Sequence, residues 1–238
     1  PSCALRSGAP AGRRRFPAFP PVGVAGARLS GPGRVPHGGQ GAVQFGLHAG
    51  LVAALAAMQA RGERSDYDRL IGELALLPRE LLRIKQAFEP RAAELAHSIR
   101  DEGYHIITGS GAAWPEAYYY GMCILEEMQW IRTRPVHASD FFHGTLELVE
   151  GGVSVILLKG EDATRPVAER VERFVPDHTE LLRVIDAADF ALPGVSPKVR
   201  GLVSQVVLAT VLERLSAHLE VLRDHPLTTR RYYRKLSY

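Results

Sequence analysis

Apolar positions along this chain change period several times, and each change marks an element. Tyr104 to Thr108 is a run of β-branched and aromatic residues that closes on Gly109-Ser110-Gly111, which predicts a strand entering a glycine turn. Pro115 suits the first turn of a helix, where its missing N–H has no partner to lose, and residues 116 to 130 continue as helix formers. Val153 to Leu158 is continuously apolar and reads as a strand buried on both faces of a parallel sheet. Glu161 to Arg165 supply a turn and cap for a helix over 166–174, and Leu181 to Ile185 reads as another strand. Over 199–222, Leu202, Val206, Leu208, Val211, Leu212, Leu215, Leu219 and Leu222 recur at helical spacing.

Upstream, Ser65 and Asp66 cap a helix whose apolar residues run from Leu70 to Leu77, where Pro78 interrupts. Residues 79 to 102 continue helically, with a second break expected near Pro90. Gly41 to Ala60 is almost uncharged and rich in alanine and leucine. Gln44, His48 and the interrupting glycines argue against a membrane span, so a buried helix at a domain or subunit contact is expected.

Composition changes the picture at one end. Residues 1–40 hold seven prolines, eight glycines and six arginines with no lysine and no acid, and they show no sustained period. Disorder is expected there. The segment lacks the amphipathic period of a transit peptide and reads as sequence outside the true frame or as an upstream fragment. Of 29 Lys and Arg residues, 23 remain beyond it against 26 Asp and Glu, so the body is mildly acidic and a nucleic-acid role is not expected. The hydrophobic content of 46% fits a soluble α/β protein, and two distant cysteines, Cys3 and Cys123, give neither a disulfide framework nor a zinc spacing. A cytoplasmic setting is expected.

The candidate chemistry is a carboxylate and an imidazole. Glu127 falls late on the helix after the glycine turn, and His143 closes the segment Phe141-Phe142-His143-Gly144. Moving a proton between adjacent carbons of an opened sugar requires a base at carbon and an acid at oxygen, which such a pair supplies. From spacing alone, Glu126-Glu127 reads as a solvated helix edge and His143 as a satisfied core histidine. Gly109-Ser110-Gly111 lacks the third glycine of a dinucleotide fingerprint and the Lys-Ser/Thr of a P-loop. His137, Asp140 and His143 at intervals of three define no metal geometry, and no metal or cofactor is expected.

Glu127-Met128-Gln129-Trp130, followed by the run from Asp140 to Glu150, resembles the second sugar-isomerase (SIS) domain of the fructosamine 6-phosphate deglycases. The wider family includes the isomerase half of glucosamine-fructose-6-phosphate aminotransferase. In that family a glutamate precedes the histidine of an HG motif by sixteen positions, as Glu127 precedes His143. Its chains end with an arginine and, four positions on, a lysine near the sugar, which resemble Arg231 and Lys235. The resemblance covers roughly residues 41 to 238.

It implies an α/β fold, a three-layer αβα SIS domain over residues 103–238 with a mainly parallel sheet. Residues 41–102 would then be helices left from a first SIS domain and connector. It also implies deglycation of a phosphorylated sugar-amine: Glu127, His143 and Lys235 catalytic, Gly109, Ser110, Gly111 and Arg231 contacting substrate, no metal, and a homodimer sharing its active site. The family's phosphate-gripping serine and threonine loops belong to the first SIS domain, upstream of anything matched here. A non-catalytic sugar-phosphate sensor and an aldose-ketose or aminotransferase-type isomerase domain remain open alternatives.

Overall fold

A computed structural model describes residues 38–63 and 65–237, with side chains from residue 49 onward. The expected disorder of residues 1–37 lies outside these. Helix α1 spans Gly38–Ala60, so it takes in the last three residues of the lead expected to be disordered. Then follow α2 (Tyr67–Leu74), α3 (Leu77–Ile99), β1 (Tyr104–Gly109), α4 (Trp114–Tyr119), β2 (Arg132–His137), β3 (Ser154–Lys159), α5 (Arg165–Phe174), β4 (Leu182–Asp186) and α6 (Pro197–Leu222).

The four strands are parallel in the order β2-β1-β3-β4. Crossovers between parallel strands are right-handed, so a step from β1 outward to β2 and a step from β3 outward to β4 must put their helices on opposite faces. They do. The chain after β1 packs into a core with α3 and α6, while α5 packs into a second core on the other face. Alternation along the strands divides the side chains accordingly: Ile107, Ile156 and Leu158 enter the first core, Ile106, Val155 and Leu157 the second. Each contributes roughly 1.5–3 kcal/mol by leaving water. The expected three-layer αβα architecture is what the chain adopts.

Gly121 lets the helix after β1 lie close on the sheet. A Cβ there would meet Ile107 Cγ2 at 2.7 Å and Pro135 Cγ at 2.9 Å.

Two expectations need correction. Strand β2 was hidden by Arg132, Arg134 and Pro135. It is an edge strand, where charge and proline are tolerated because one side makes no ladder bonds. Pro90 does not break α3: it is exposed, and buried Phe88 and Ala92 hold the helix on either side of it, while Pro78 opens that helix instead of interrupting one. In α1, Leu55 is the one buried side chain among those described, with Leu51 and Val52 packed partly beside it. Helix α6 is long and apolar enough to cross a membrane by length and composition, yet 67% of that window is buried within the protein.

Candidate functional site

The helix that follows β1 changes character before it ends. After α4 the chain widens into a π-helix over Tyr120–Glu126, with Glu127 N–H donating to Met122 O at 3.1 Å and Gln129 N–H to Ile124 O at 3.0 Å. Such i→i+5 turns recur at functional sites because they rotate the residues beyond them. Here two successive glutamates receive different duties. Glu126 accepts hydrogen bonds from Thr133 N–H at 3.0 Å and Thr133 Oγ1 at 2.8 Å, fastening the helix end to β2. Glu127 instead meets the tail, and both carboxylates line a cavity.

That cavity, about 810 Å³, lies at the amino ends of β1 and β2. Its walls are the helix end with Glu127 and Trp130, the strand starts with Tyr104 and Arg132, and the tail with Arg230 and Arg231. Arg230 Nε donates to Glu127 Oε1 at 2.8 Å and its Nη1 to the carbonyls of Leu227 and Thr229 at 2.7 and 2.8 Å. The Arg231 guanidinium lies over the Trp130 ring, 3.9 Å from its centroid. Trp130 has φ +56°, a left-handed conformation that costs an L-residue roughly 1–2 kcal/mol, and it stacks edge-on with His225 at 4.4 Å. The Gln129 side-chain amide donates to His225 O at 2.7 Å, so the chain leaving α6 is pinned to this corner.

The opposite end of the sheet is built differently. At the carboxyl ends of β1 and β3 the strand order reverses, the point where open α/β sheets usually hold a ligand. In this chain the protein's own carboxylate fills it. Asp162 accepts from Ala112 N–H at 2.8 Å and from Thr164 N–H at 2.7 Å, and Ser110 Oγ donates to Thr164 O at 3.0 Å. Gly111, at φ +52°, has no room for a side chain: a Cβ would stand 2.2 Å from Thr164 Oγ1. Beside this loop Arg165 binds Asp186 through two nitrogens at 2.8 and 2.5 Å, and Lys159 approaches the same carboxylate at 3.2 Å. Burial would raise the Asp186 carboxyl, but the hydrogen bonds from Arg165, Ala188 N–H and Lys159 outweigh it and hold it at about 2.

Between the two ends, the helix buries a carboxyl that the sequence reading passed over. Glu116 is 2% exposed, its Oε1 has no hydrogen-bond partner, and desolvation pushes its pKa up to about 8. Burial also pushes the Tyr119 hydroxyl and the Cys123 thiol up, and both feel Glu116 and Glu127.

Of the residues singled out from the sequence, the fold therefore brings together Glu127 and Arg231. Gly109, Ser110 and Gly111 sit at the other end of the same helix, about 20 Å away at ~1.5 Å per residue. His143 ends a 3₁₀ turn over Asp140–His143 that is anchored by buried Phe141, and its own side chain is exposed outside the cavity. Lys235 is exposed on the tail, also outside it. Among the described residues no three His, Cys, Asp or Glu side chains form a metal-binding group. Arg230, Tyr104 and Asp162 were missed. Two arginines in succession give no sign of which one turns inward, and Asp162 looked like any turn acid.

No family model matches the sequence. Fructosamine deglycase FrlB of Bacillus subtilis (strain 168) is 37% identical over 147 residues, 62% of this chain and 45% of that protein. Fructoselysine 6-phosphate deglycase of Escherichia coli (strain K12) is 27% identical over 169 residues, 71% of this chain and 48% of that protein. A solved structure from Bacillus subtilis described as a candidate phosphosugar isomerase superposes with a TM-score of 0.72 at 32% identity, covering 76% of this chain and 55% of that one. The chain spans about half the length of the curated relatives it matches. The resemblance to the deglycase group read from the sequence is borne out, and the fold is that of an SIS domain.

Proposed function

We propose that this chain, similar to the fructosamine deglycases, supplies the acid–base half of an enzyme that splits 6-phosphofructosamines into glucose 6-phosphate and a free amine. The observation that carries the reading is Glu127: both adjacent glutamates line the cavity, but Glu126 is spent on Thr133 while Glu127 is oriented by Arg230 of the tail. In the opened ketoamine, Glu127 takes the proton from C1, the atom that bears the nitrogen, and an enaminol forms across C1 and C2. A proton returned to C2 leaves an imine at C1. Water adds to that imine and the amine departs, so one water is consumed and no redox step occurs.

His143 lies outside the Glu127 cavity of its own chain, and we assign it to the site of a neighbouring subunit in a cytoplasmic homodimer, as acid or base at the sugar oxygens. Lys235, four residues beyond Arg231 on the exposed tail, is assigned to hold the sugar. Gly109, Ser110 and Gly111 serve as scaffold in this proposal, since Asp162 occupies the amide that an anion would need.

Release of glucose 6-phosphate from a panel of 6-phosphofructosamines tests the reading. Glu127→Gln should lower turnover on the order of 10²–10⁴-fold, while Glu126→Gln acts through stability. Full turnover in Glu127→Gln would overturn it. A non-catalytic sugar-phosphate sensor is the second reading, favoured by the exposure of His143 and Lys235 outside the cavity. It requires binding without turnover.

A further inference from the structure

The tail of the chain holds the Trp130 indole through two side chains. His225 stands edge-on to it, with ring centroids 4.4 Å apart and planes at 71°, and the Arg231 guanidinium lies 3.9 Å from its centroid. Gln129 adds a third tie, its side-chain amide donating to His225 O at 2.7 Å. His225 sits where the chain turns out of α6. Its own N–H donates to Glu220 O at 3.0 Å, Asp224 just before it has φ +47°, and Leu227 N–H donates to Glu220 Oε1 at 3.0 Å. The tail residues that line the cavity, Arg230 to Tyr233, all follow this turn, so the seating of one imidazole bears on where the wall stands.

That imidazole is seated as a neutral ring. Its Nε2 is buried without a hydrogen-bond partner among the described residues, so a proton added there finds no acceptor. The cation so formed would also face Arg223 at the end of α6 and Arg231 on the tail. The acids nearby in the chain do not offset them: Glu220 is engaged by Leu227 N–H, Asp224 is exposed to water, and Glu126 and Glu127 on the helix end are held by Thr133 and Arg230. The Met128 carbonyl favours the cation and is outweighed, since burial, then Arg223 and Arg231, lower the His225 pKa.

We infer that His225 and Trp130 form a protonation-sensitive clasp on the cavity wall: with the imidazole neutral the tail is docked on the helix end, and with it charged the tail lets go. The sign follows from linkage. Docking is fully favoured above the free histidine value near 6.5 and is lost as pH falls through the depressed one. The inference stands apart from the deglycase reading, because it concerns how the wall is held and not what reacts inside it. It adds that the cavity, and with it the tail that carries Lys235, is assembled at neutral pH and opens in acid.

The full 238-residue chain has two tryptophans, so Trp114→Phe leaves Trp130 as the sole emitter. Acrylamide is uncharged at every pH, and its quenching of that emission reads access to the indole. Between about pH 7.5 and about pH 5 the quenching constant should rise roughly twofold as the clasp opens. With His225→Gln added, which keeps a polar side chain and cannot titrate, it should stay flat. An equal rise in the His225→Gln chain, or none in its parent, overturns the inference. A rise that comes with loss of helical circular dichroism also overturns it, because the whole fold and not the clasp would then be opening. Amide hydrogen exchange of residues 227–233, corrected for its intrinsic pH dependence, gives the same comparison in chains that keep Trp114. The excess exchange in acid should vanish in His225→Gln, and its persistence there overturns the clasp.

Discussion

Glu127 accepts the Nε hydrogen of Arg230 across 103 positions of sequence, and the tail of the chain is thereby tied to the end of the helix that follows β1. Neither residue is charged without company, and each fixes the other. Arg230→Met should release the segment from Leu227 to Tyr233 while costing the fold only about 1 kcal/mol, because Glu127 is partly exposed and water replaces the lost partner. Amide hydrogen exchange reports this: faster exchange confined to that segment is expected. Unchanged exchange would show that the aromatic contacts alone dock the tail.

At the other end of the helix, Asp162 stands in the seat that an anionic ligand would take. Its carboxylate is held below the usual range although burial opposes this, because Thr164 and the Ala112 and Thr164 amides donate to it. Asp162→Asn keeps one acceptor oxygen and turns the other into an NH₂ that cannot accept, so of the three bonds at least one is lost and the rest lose their charge, which should cost on the order of 1–3 kcal/mol. Gly111→Ala should cost a similar amount for a different reason, the added methyl meeting Thr164 and Asp162 in a left-handed backbone. Urea unfolding of both variants measures the two effects. A neutral Gly111→Ala would mean that the loop yields.

The hydrophobic period made the sheet interior and long α6 legible, since β3 and α6 are apolar for the reason they are buried. It failed at β2, where an edge position lets Arg132, Arg134 and Pro135 stand in a strand. Glu127 could be singled out only by resemblance, because two adjacent glutamates look alike until a π-turn directs one to Thr133 and the other to Arg230. The cavity position was legible in principle. A helix that starts at the carboxyl end of β1 must return to the amino end by the time it reaches residue 127. What no pattern carries is the partner of a tail residue, and Arg230 and Arg231 divide their contacts according to where the chain crosses Gln129 and Trp130.

His105 and Asp186 both add to the acid limb of stability, beside Glu73, Glu80, Glu89 and Asp162, whose carboxyls are also held below the usual range. His105 is fully buried, with Nδ1 2.7 Å from Ser154 Oγ, and burial, helped by nearby Arg183, lowers its pKa to about 4. A histidine depressed in the folded state stabilises above the unfolded value near 6.5 and loses that contribution as pH falls toward 4, about 3 kcal/mol in full. Asp186, held at about 2, contributes above the unfolded value of 3.8 and fails only below it. Glu116 works in the opposite direction over part of the same interval, so the His105 contribution is read as a difference between parent and variant. His105→Asn, which keeps a nitrogen or oxygen near Ser154, should lose less stability than the parent as pH falls from 6.5 to about 4 in urea unfolding, and a gap that stays constant over that range would sink the assignment.

Glu116 predicts the opposite sign. Its pKa rises from 4.5 unfolded to about 8 folded through burial, so folding takes up a proton throughout the interval between those values. The contribution is fully present below pH 4.5 and is lost as pH rises through 8. Glu116→Gln cannot ionise and should escape that loss. Near pH 5 the variant and the parent should unfold at similar urea concentrations. By pH 8 the variant should be the more stable, by roughly 4 kcal/mol. The neighbouring ionisable groups on the same helix do not confuse the result, since burial pushes Tyr119, Tyr120 and Cys123 upward and leaves them neutral over this range. A gap that stays constant from pH 5 to 8 would mean that Glu116 is ionised in the folded protein, and that its buried oxygen has found a donor.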